Sequence, residues 1–513
     1  MPIASGRPRL EPMRQIVRIV EGIEGDTAVR ITVDPRPDYG RRAPRVVQHG
    51  NLAWAWSWGD EVLQLRADVP LRCSSKGADI EGRVTIAAGA KLYFVLGYTK
   101  GDIGSISPLG AHVEEQLQAT LRWWTQWSER LRYEGPYRAA VVRSALALKL
   151  MTYALSGGVV AAPTTSLPEA IGGSRNWDYR YCWLRDAALT MRAFTRLGYM
   201  DEASSFFAWL IHTTRLTWPR LQVLYDVYGR TDVPEFELPH WEGFAGSKPV
   251  RIGNAAGEQL QLDSYGGLLA AALEYVDSGG EVSADERRLL AGFGRSVLAE
   301  WRCPDNGMWE VRGARRHYTM SKVWCWSALR CLVAFHERGL LKIPIDGVRE
   351  GLRAIGHAIE TEGFNEKLSS YVAAFGGSEV DASLLLMASL GYKDANDPRM
   401  RGTYDRIQER LNRNGLLYRY ESGHDGLPAR EGAFGICSFW AVDHLVCRGD
   451  LDEARRMFEH ALSFANELGL LAEEIDPDSG SQLGNFPQAF THVGLIFSAL
   501  SLAKATQQGT MGS

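Results

Sequence analysis

Two hydrophobic periods divide the chain. Up to about residue 105, apolar side chains recur at every second position, as at Val29, Ile31 and Val33 and again at Val84 and Ile86, with β-rich runs over 16–20 and 92–98. Turn residues such as Asp34-Pro35-Arg36-Pro37 separate six or so strands. That is few for a self-contained two-sheet sandwich, so residues 1–107 read as a partial antiparallel β-sandwich domain. Over 111–132 the spacing changes to three and four (Val113, Leu117, Leu121, Trp124, Trp127), which predicts a helical linker within 108–136 that ends at Gly135-Pro136.

From 137 to 507 the helical period persists. Stripes and caps place helices near 139–156, 182–198, 202–213 (Asp201 as cap), 258–276, 284–301 (capping box Ser283 with Glu286) and 320–338. A seventh carries Val348, Leu352, Ile355 and Ile359, and an eighth covers 378–391. The ninth opens with Asp397 and Pro398, and the last three lie near 434–448, 451–468 and 487–505. Joints after the even-numbered helices take a few residues. Those after the odd-numbered ones are long and structureless by pattern: 157–181, 214–257, 302–319, 361–377, 413–433 and 469–486. Six hairpins with every long loop on one rim describe an (α/α)6 barrel, so the fold class is mainly α. Segments apolar nearly all round, such as 382–390, fit an inner ring.

Composition narrows the function. A net charge of −4, with 23% charged residues and no extended run of one sign, argues against a nucleic-acid partner. The N-terminus lacks a signal-peptide core and no run nears the roughly 20 apolar residues of a membrane span, so the expected location is cytoplasmic with no membrane partner. The 7 cysteines form no Cys-x-x-Cys pair and read as mainly buried free thiols. The 16 tryptophans, many in loops, suit the C–H faces of sugars.

Candidate chemistry lies in the long loops. Segment 171–190 is dense in charge and aromatics, and its Arg185-Asp186 can grip vicinal hydroxyls or serve as an ion pair fixing the loop. Trp177, Asp178 and Trp183 are weaker candidates. Splitting a glycosidic bond needs one acid to protonate the leaving oxygen and a second carboxylate to activate water or attack carbon. Glu310 follows Trp309, whose indole could desolvate the carboxyl and raise its pKa. Glu473 is followed by Glu474 and Asp476, and spacing cannot choose among them; Glu431 is a further rim acid. The 11 histidines show no His-Glu-x-x-His or similar spacing, and no Gly-rich phosphate loop stands out, so neither metal nor cofactor is expected.

The run Arg175-Asn176-Trp177-Asp178-Tyr179-Arg180-Tyr181-Cys182-Trp183-Leu184-Arg185-Asp186-Ala187-Ala188 resembles the hallmark of glycoside hydrolase family 15, in its bacterial glucoamylase and trehalase branch. The stretches 246–254, Trp309-Glu310, Cys437-Ser438-Phe439-Trp440 and 484–490 with His492 also resemble that branch, and the likeness spans roughly 15–505. It implies a metal-independent, inverting exo-hydrolase releasing glucose from α-glucosidic ends, with a β-sandwich joined by a linker to an (α/α)6 barrel. By resemblance Glu310 is the general acid, Glu473 the general base, and Arg185 with Asp186 the grip on the terminal glucose. Trp183, Trp309, His240, Trp241 and Arg251 become pocket walls. Members of the branch begin with a longer β region whose early strands have no counterpart before Met13, so the first domain is expected to be shortened. The expected partner is an oligosaccharide or disaccharide with α-linked glucose. The main reading is a glucoamylase-type α-glucosidase. The alternatives are an α,α-trehalase and, in another class, a non-catalytic glucan-binding relative.

Overall fold

A computed structural model describes residues 14–74, 77–101, 109–421 and 431–511. The chain start, where the missing strands were placed, lies outside them. The chain divides into two compact units at Glu129/Arg130.

Among its described residues the first unit holds eight strands: β1 (Gln15–Glu21), β2 (Asp26–Val33), β3 (Arg45–His49), β4 (Ala53–Trp58), β5 (Glu61–Ala67), β6 (Arg72–Cys73), β7 (Ile80–Ala87) and β8 (Lys91–Lys100). They form antiparallel sheets ordered β1-β8-β5-β4-β3 and β2-β7-β6. Trp54, Trp56, Leu65 and Phe94 of the larger sheet pack against Ile80, Ile31, Val33 and Val84 of the smaller. The strand count exceeds the six expected because β3, β4 and β5 join through tight turns; in β4, tryptophans alternate with Ala55 and Ser57, and Trp56 pairs with Leu63. Helix α1 (Ala111–Glu129) closes this unit.

The second unit is the barrel. Its helices are α2 (Arg138–Met151), α3 (Leu184–Leu197), α4 (Met200–Thr217), α5 (Asp263–Asp277), α6 (Ala284–Glu300), α7 (Thr319–Glu337), α8 (Ile345–Glu362), α9 (Leu386–Ser389, after the 3-10 turn Ala382–Leu385), α10 (Pro398–Leu411), α11 (Gly435–Arg448), α12 (Leu451–Leu462) and α13 (Ala489–Met511). Helices α3, α5, α7, α9 with its turn, α11 and α13 each pack on the next, and α13 returns to α3, which closes an inner ring. The others form the outer layer of an (α/α)6 barrel. The inner position of α13 accounts for its apolar sequence: Ala489–Gln508 has the length and hydropathy of a membrane span, and 67% of that window is buried here.

Local signals fix many ends. Ser283 and Glu286 form a complete capping box, and Asp397 accepts the Arg399 N–H with Pro398 at the first helical position. Gly198 and Gly449 end α3 and α11 in the left-handed conformation. Asp201 is not a cap, because α4 starts one residue earlier and takes Asp201 into its first turn. The long loops are not structureless either: two-residue strands pair Cys182–Trp183 with Leu224–Tyr225, Phe236–Glu237 with Arg251–Ile252, and Glu474–Ile475 with both Ala433–Phe434 and Gln482–Leu483.

Candidate active site

The long-loop rim surrounds a pocket of about 700 Å³, counted out to its open mouth. Five of the six long loops line it: Arg175, Trp177, Tyr179, Trp183, Arg185 and Asp186 from the α2–α3 connection and the start of α3; Asn254 and Ala256 before α5; Met308, Trp309, Glu310 and Arg312 before α7; Arg419, Tyr420 and Phe434 before α11; Glu473, Gln488 and Phe490 around the start of α13. The sixth loop acts from behind, where Asp381 accepts the Trp309 indole N–H at 2.7 Å.

Glu310 sits in a tight turn. Val311 N–H donates to Asn306 O, the Asn306 amide donates back to Val311 O, and Gln259 donates to Glu310 O. The turn holds Glu310 at φ +60°, a conformation that costs a non-glycine residue about 1–3 kcal/mol and is retained mainly where function uses it. Its Oε1 accepts the Trp183 indole N–H at 2.5 Å and lies 3.5 Å from Arg185 Nη2. The indole on this carboxyl is therefore that of Trp183. Trp309, the chain neighbour, faces Asp381, Tyr420, Phe434 and Trp440 instead. Arg185 is fixed from behind by Gln261 at 3.1 Å and Asp263 at 3.5 Å. Asp186, 3.4 Å from Arg185, has its carboxyl pushed up to about 6 by burial.

Glu473 approaches from the connection before α13, three loops away in a ring of six, so the two carboxyls come from opposite sides of the mouth. The Tyr179 hydroxyl donates to Glu473 Oε1 at 2.6 Å, while Oε2 is buried with no hydrogen-bond partner. Burial and the charge of Glu169 hold this carboxyl well above the usual carboxylate range. Behind it, Glu431 takes hydrogen bonds from Arg419 at 2.9 and 2.8 Å and from Arg175 at 2.9 Å, and Glu169 takes one from Arg419 at 3.2 Å. Arg419 also lies over the rings of Tyr420 and Phe434, each 5.0 Å from the guanidinium. A carboxyl held by an indole N–H and a guanidinium thus lines the same pocket as a second carboxyl held by a tyrosine hydroxyl.

Residues 135–500 match the family model described as glycosyl hydrolases family 15. The chain belongs to that family. Relatives named trehalase include one from Thermoplasma acidophilum, 37% identical with 93% of this chain and 81% of the relative covered. Others are from Thermoplasma volcanium, 34% identical over 97% and 78%, and from Mycobacterium tuberculosis, 34% identical over 96% and 74%. A bacterial glucoamylase solved with acarbose superposes with a TM-score of 0.70 at 14% identity, covering 90% of this chain and 74% of that one, and so shares the fold. The protein is a glycoside hydrolase.

Of the site residues read from the sequence, Glu310, Glu473, Arg185, Asp186, Trp183 and Trp309 meet in the pocket of this family 15 chain, and Glu474 does not line it. His240, Trp241 and Arg251 do not line it either. The hairpin Phe236–Glu237 with Arg251–Ile252 carries its tip outward, so His240 and Trp241 are exposed, and Arg251 stacks 4.5 Å behind Trp177. Asp178 is turned away to bind Arg180 and Gly253 N–H. Tyr179, Arg175, Arg419 and Glu169 were missed. Tyr179 and Arg175 stood inside the signature run without a role, and Arg419 sits between Tyr418 and Tyr420 just beyond α10, a charge among aromatics like that at Arg185.

Proposed function

We propose that this family 15 hydrolase is an inverting α,α-trehalase, splitting trehalose into two glucose molecules. The observation that carries this reading is that relatives matched over more than 90% of the chain are named trehalase. It takes precedence over the glucoamylase-type activity expected from sequence, since the glucoamylase likeness at 14% identity bears on fold alone. Arg185 and Arg312 in the pocket wall offer charged donors to sugar hydroxyls, and Asp186 offers a carboxyl acceptor.

Glu310 donates its proton to the glycosidic oxygen as the bond to the anomeric carbon breaks. Glu473 takes a proton from a water attacking that carbon from the opposite face. Arg185 and Asp186 hold the sugar that is attacked. Inversion needs the two carboxyls about 6.5–9.5 Å apart to admit the water, and their origin on opposite sides of the rim supports that arrangement.

The test is hydrolysis of trehalose, maltose, isomaltose and soluble starch, with product anomers read by NMR before mutarotation. The expected result is trehalose cleavage giving equal α- and β-glucose. Two α-glucose molecules would refute inversion, and starch or maltose cleavage without trehalose cleavage would refute the substrate. Glu310→Gln and Glu473→Gln are each expected to lower kcat by about 10²–10⁴-fold; unchanged turnover in both would remove them as the pair.

A further inference from the structure

Glu473 and Glu474 are neighbours in the chain but occupy different environments. Consecutive side chains of an extended segment point to opposite faces, and Glu474, at the start of the pairing with Phe434, faces away from the pocket into a buried cluster. Carboxylate oxygens of Glu169, Glu431 and Glu474 come within 4.8 Å of one another there. Among the described residues the cations facing them are Arg175 and Arg419, and both are paired with Glu431 and Glu169. Glu474 receives one hydrogen bond, from Gly432 N–H to Oε2 at 2.7 Å. Its Oε1 is buried with no partner, and so is Glu169 Oε1. Among the described residues, Tyr179, Tyr420, the Trp177 indole and the Cys437 thiol also border the cluster and bring no further positive charge.

Among the described residues, four carboxyls, three buried and one partly buried, therefore share two guanidiniums. With all four ionised, two negative charges would stand uncompensated where solvent cannot screen them. We propose that Glu474 carries a proton in the working enzyme, and that this neutral acid allows Glu473 to remain the ionised base. The proton removes one charge from the cluster and from the neighbourhood of Glu473. Burial and mutual repulsion act in the same direction, raising Glu474 well above the usual carboxylate range and Glu169 to about 7. Glu474 is a positioning residue, since it does not line the pocket. The inference rests on Glu473 as the base.

The experiment pairs infrared spectroscopy with a pH–rate profile. The difference spectrum between the wild type and Glu474→Gln at neutral pH is expected to show loss of a protonated-carboxyl C=O stretch, and Glu169→Gln is expected to shift that band by changing its surroundings. The acid limb of kcat/KM on trehalose is expected to keep its position in Glu474→Gln, because a neutral amide replaces a neutral acid. Absence of the band overturns the proposal. So does an acid limb displaced downward by about one pH unit or more, which would report the removal of a negative charge beside the base. If Glu473→Gln stays active, the base assignment fails, and the infrared band still decides the state of Glu474.

Discussion

The hydrogen bond from Tyr179 to Glu473 joins residues 294 positions apart in the chain. It favours the ionised carboxylate, in opposition to burial. In Tyr179→Phe the proton affinity of Glu473 rises. A base must be ionised to act, so the acid limb of kcat/KM moves to higher pH. A hydrogen bond to a charged group contributes about 1.5–3 kcal/mol, which corresponds to a displacement of about one to two pH units. A limb that stays in place would show that Tyr179 does not tune the base. The same bond explains what sequence could and could not convey. Residue type and neighbours marked Glu310 and the Glu473-Glu474 pair, yet the choice within the pair rested on resemblance. What separates them is an extended segment registered on Ala433–Phe434, some forty residues earlier, and no local spacing encodes that pairing.

At the scale of elements, helix existence was legible and helix ends less so. The eighth segment was expected over 378–391 from its apolar run, but Asp381 is bridged to Tyr420, takes the Trp309 indole and caps Ser383 N–H, so the helical backbone cannot begin before Ala382. A 3-10 turn follows and leaves only Leu386–Ser389 as α-helix. The inner helices also carry close approaches invisible in any stripe. A Cβ on Gly266 of α5 would stand 2.4 Å from the backbone oxygen of Trp324 on α7. Backbone cannot rotate away as a side chain can, so Gly266→Ala is expected to push the two helices apart. Overpacking of this kind costs about 1–3 kcal/mol, read as a lowered midpoint in urea unfolding. A midpoint within error of the wild type would mean that α5 and α7 yield without cost.

For the whole molecule, alternating joint lengths sufficed to anticipate the ring, because short joints force antiparallel neighbours and leave the long ones on one rim. The chemistry gathered inside that ring sets how stability varies with pH. Burial raises Asp443 and Glu169 to about 7 and Asp186 and Asp305 to about 6, against about 3.9–4.3 for these side chains in an unfolded chain. Between those limits the folded state binds more protons than the unfolded one. The stability these groups contribute is therefore complete below about pH 4 and is lost as pH rises through 6 and 7. His444 and His492 act in the opposite sense: burial lowers them to about 4 and about 3, so their contribution is present above about 6.5 and is lost as pH falls through those values. Glu235, Glu274 and Glu360, lowered by their cationic partners, add to the loss at the acid end. Raised carboxyls outnumber lowered histidines, which places the expected stability maximum near pH 4–6, with a shallow decline toward pH 8 and a steep one below about pH 4. Thermal melts followed by circular dichroism across that range provide the check. A melting temperature climbing steadily from pH 5 to 8 would mean that the buried carboxyls fold in their ionised form, and that the guanidiniums around the pocket compensate more of their charge than the geometry allows.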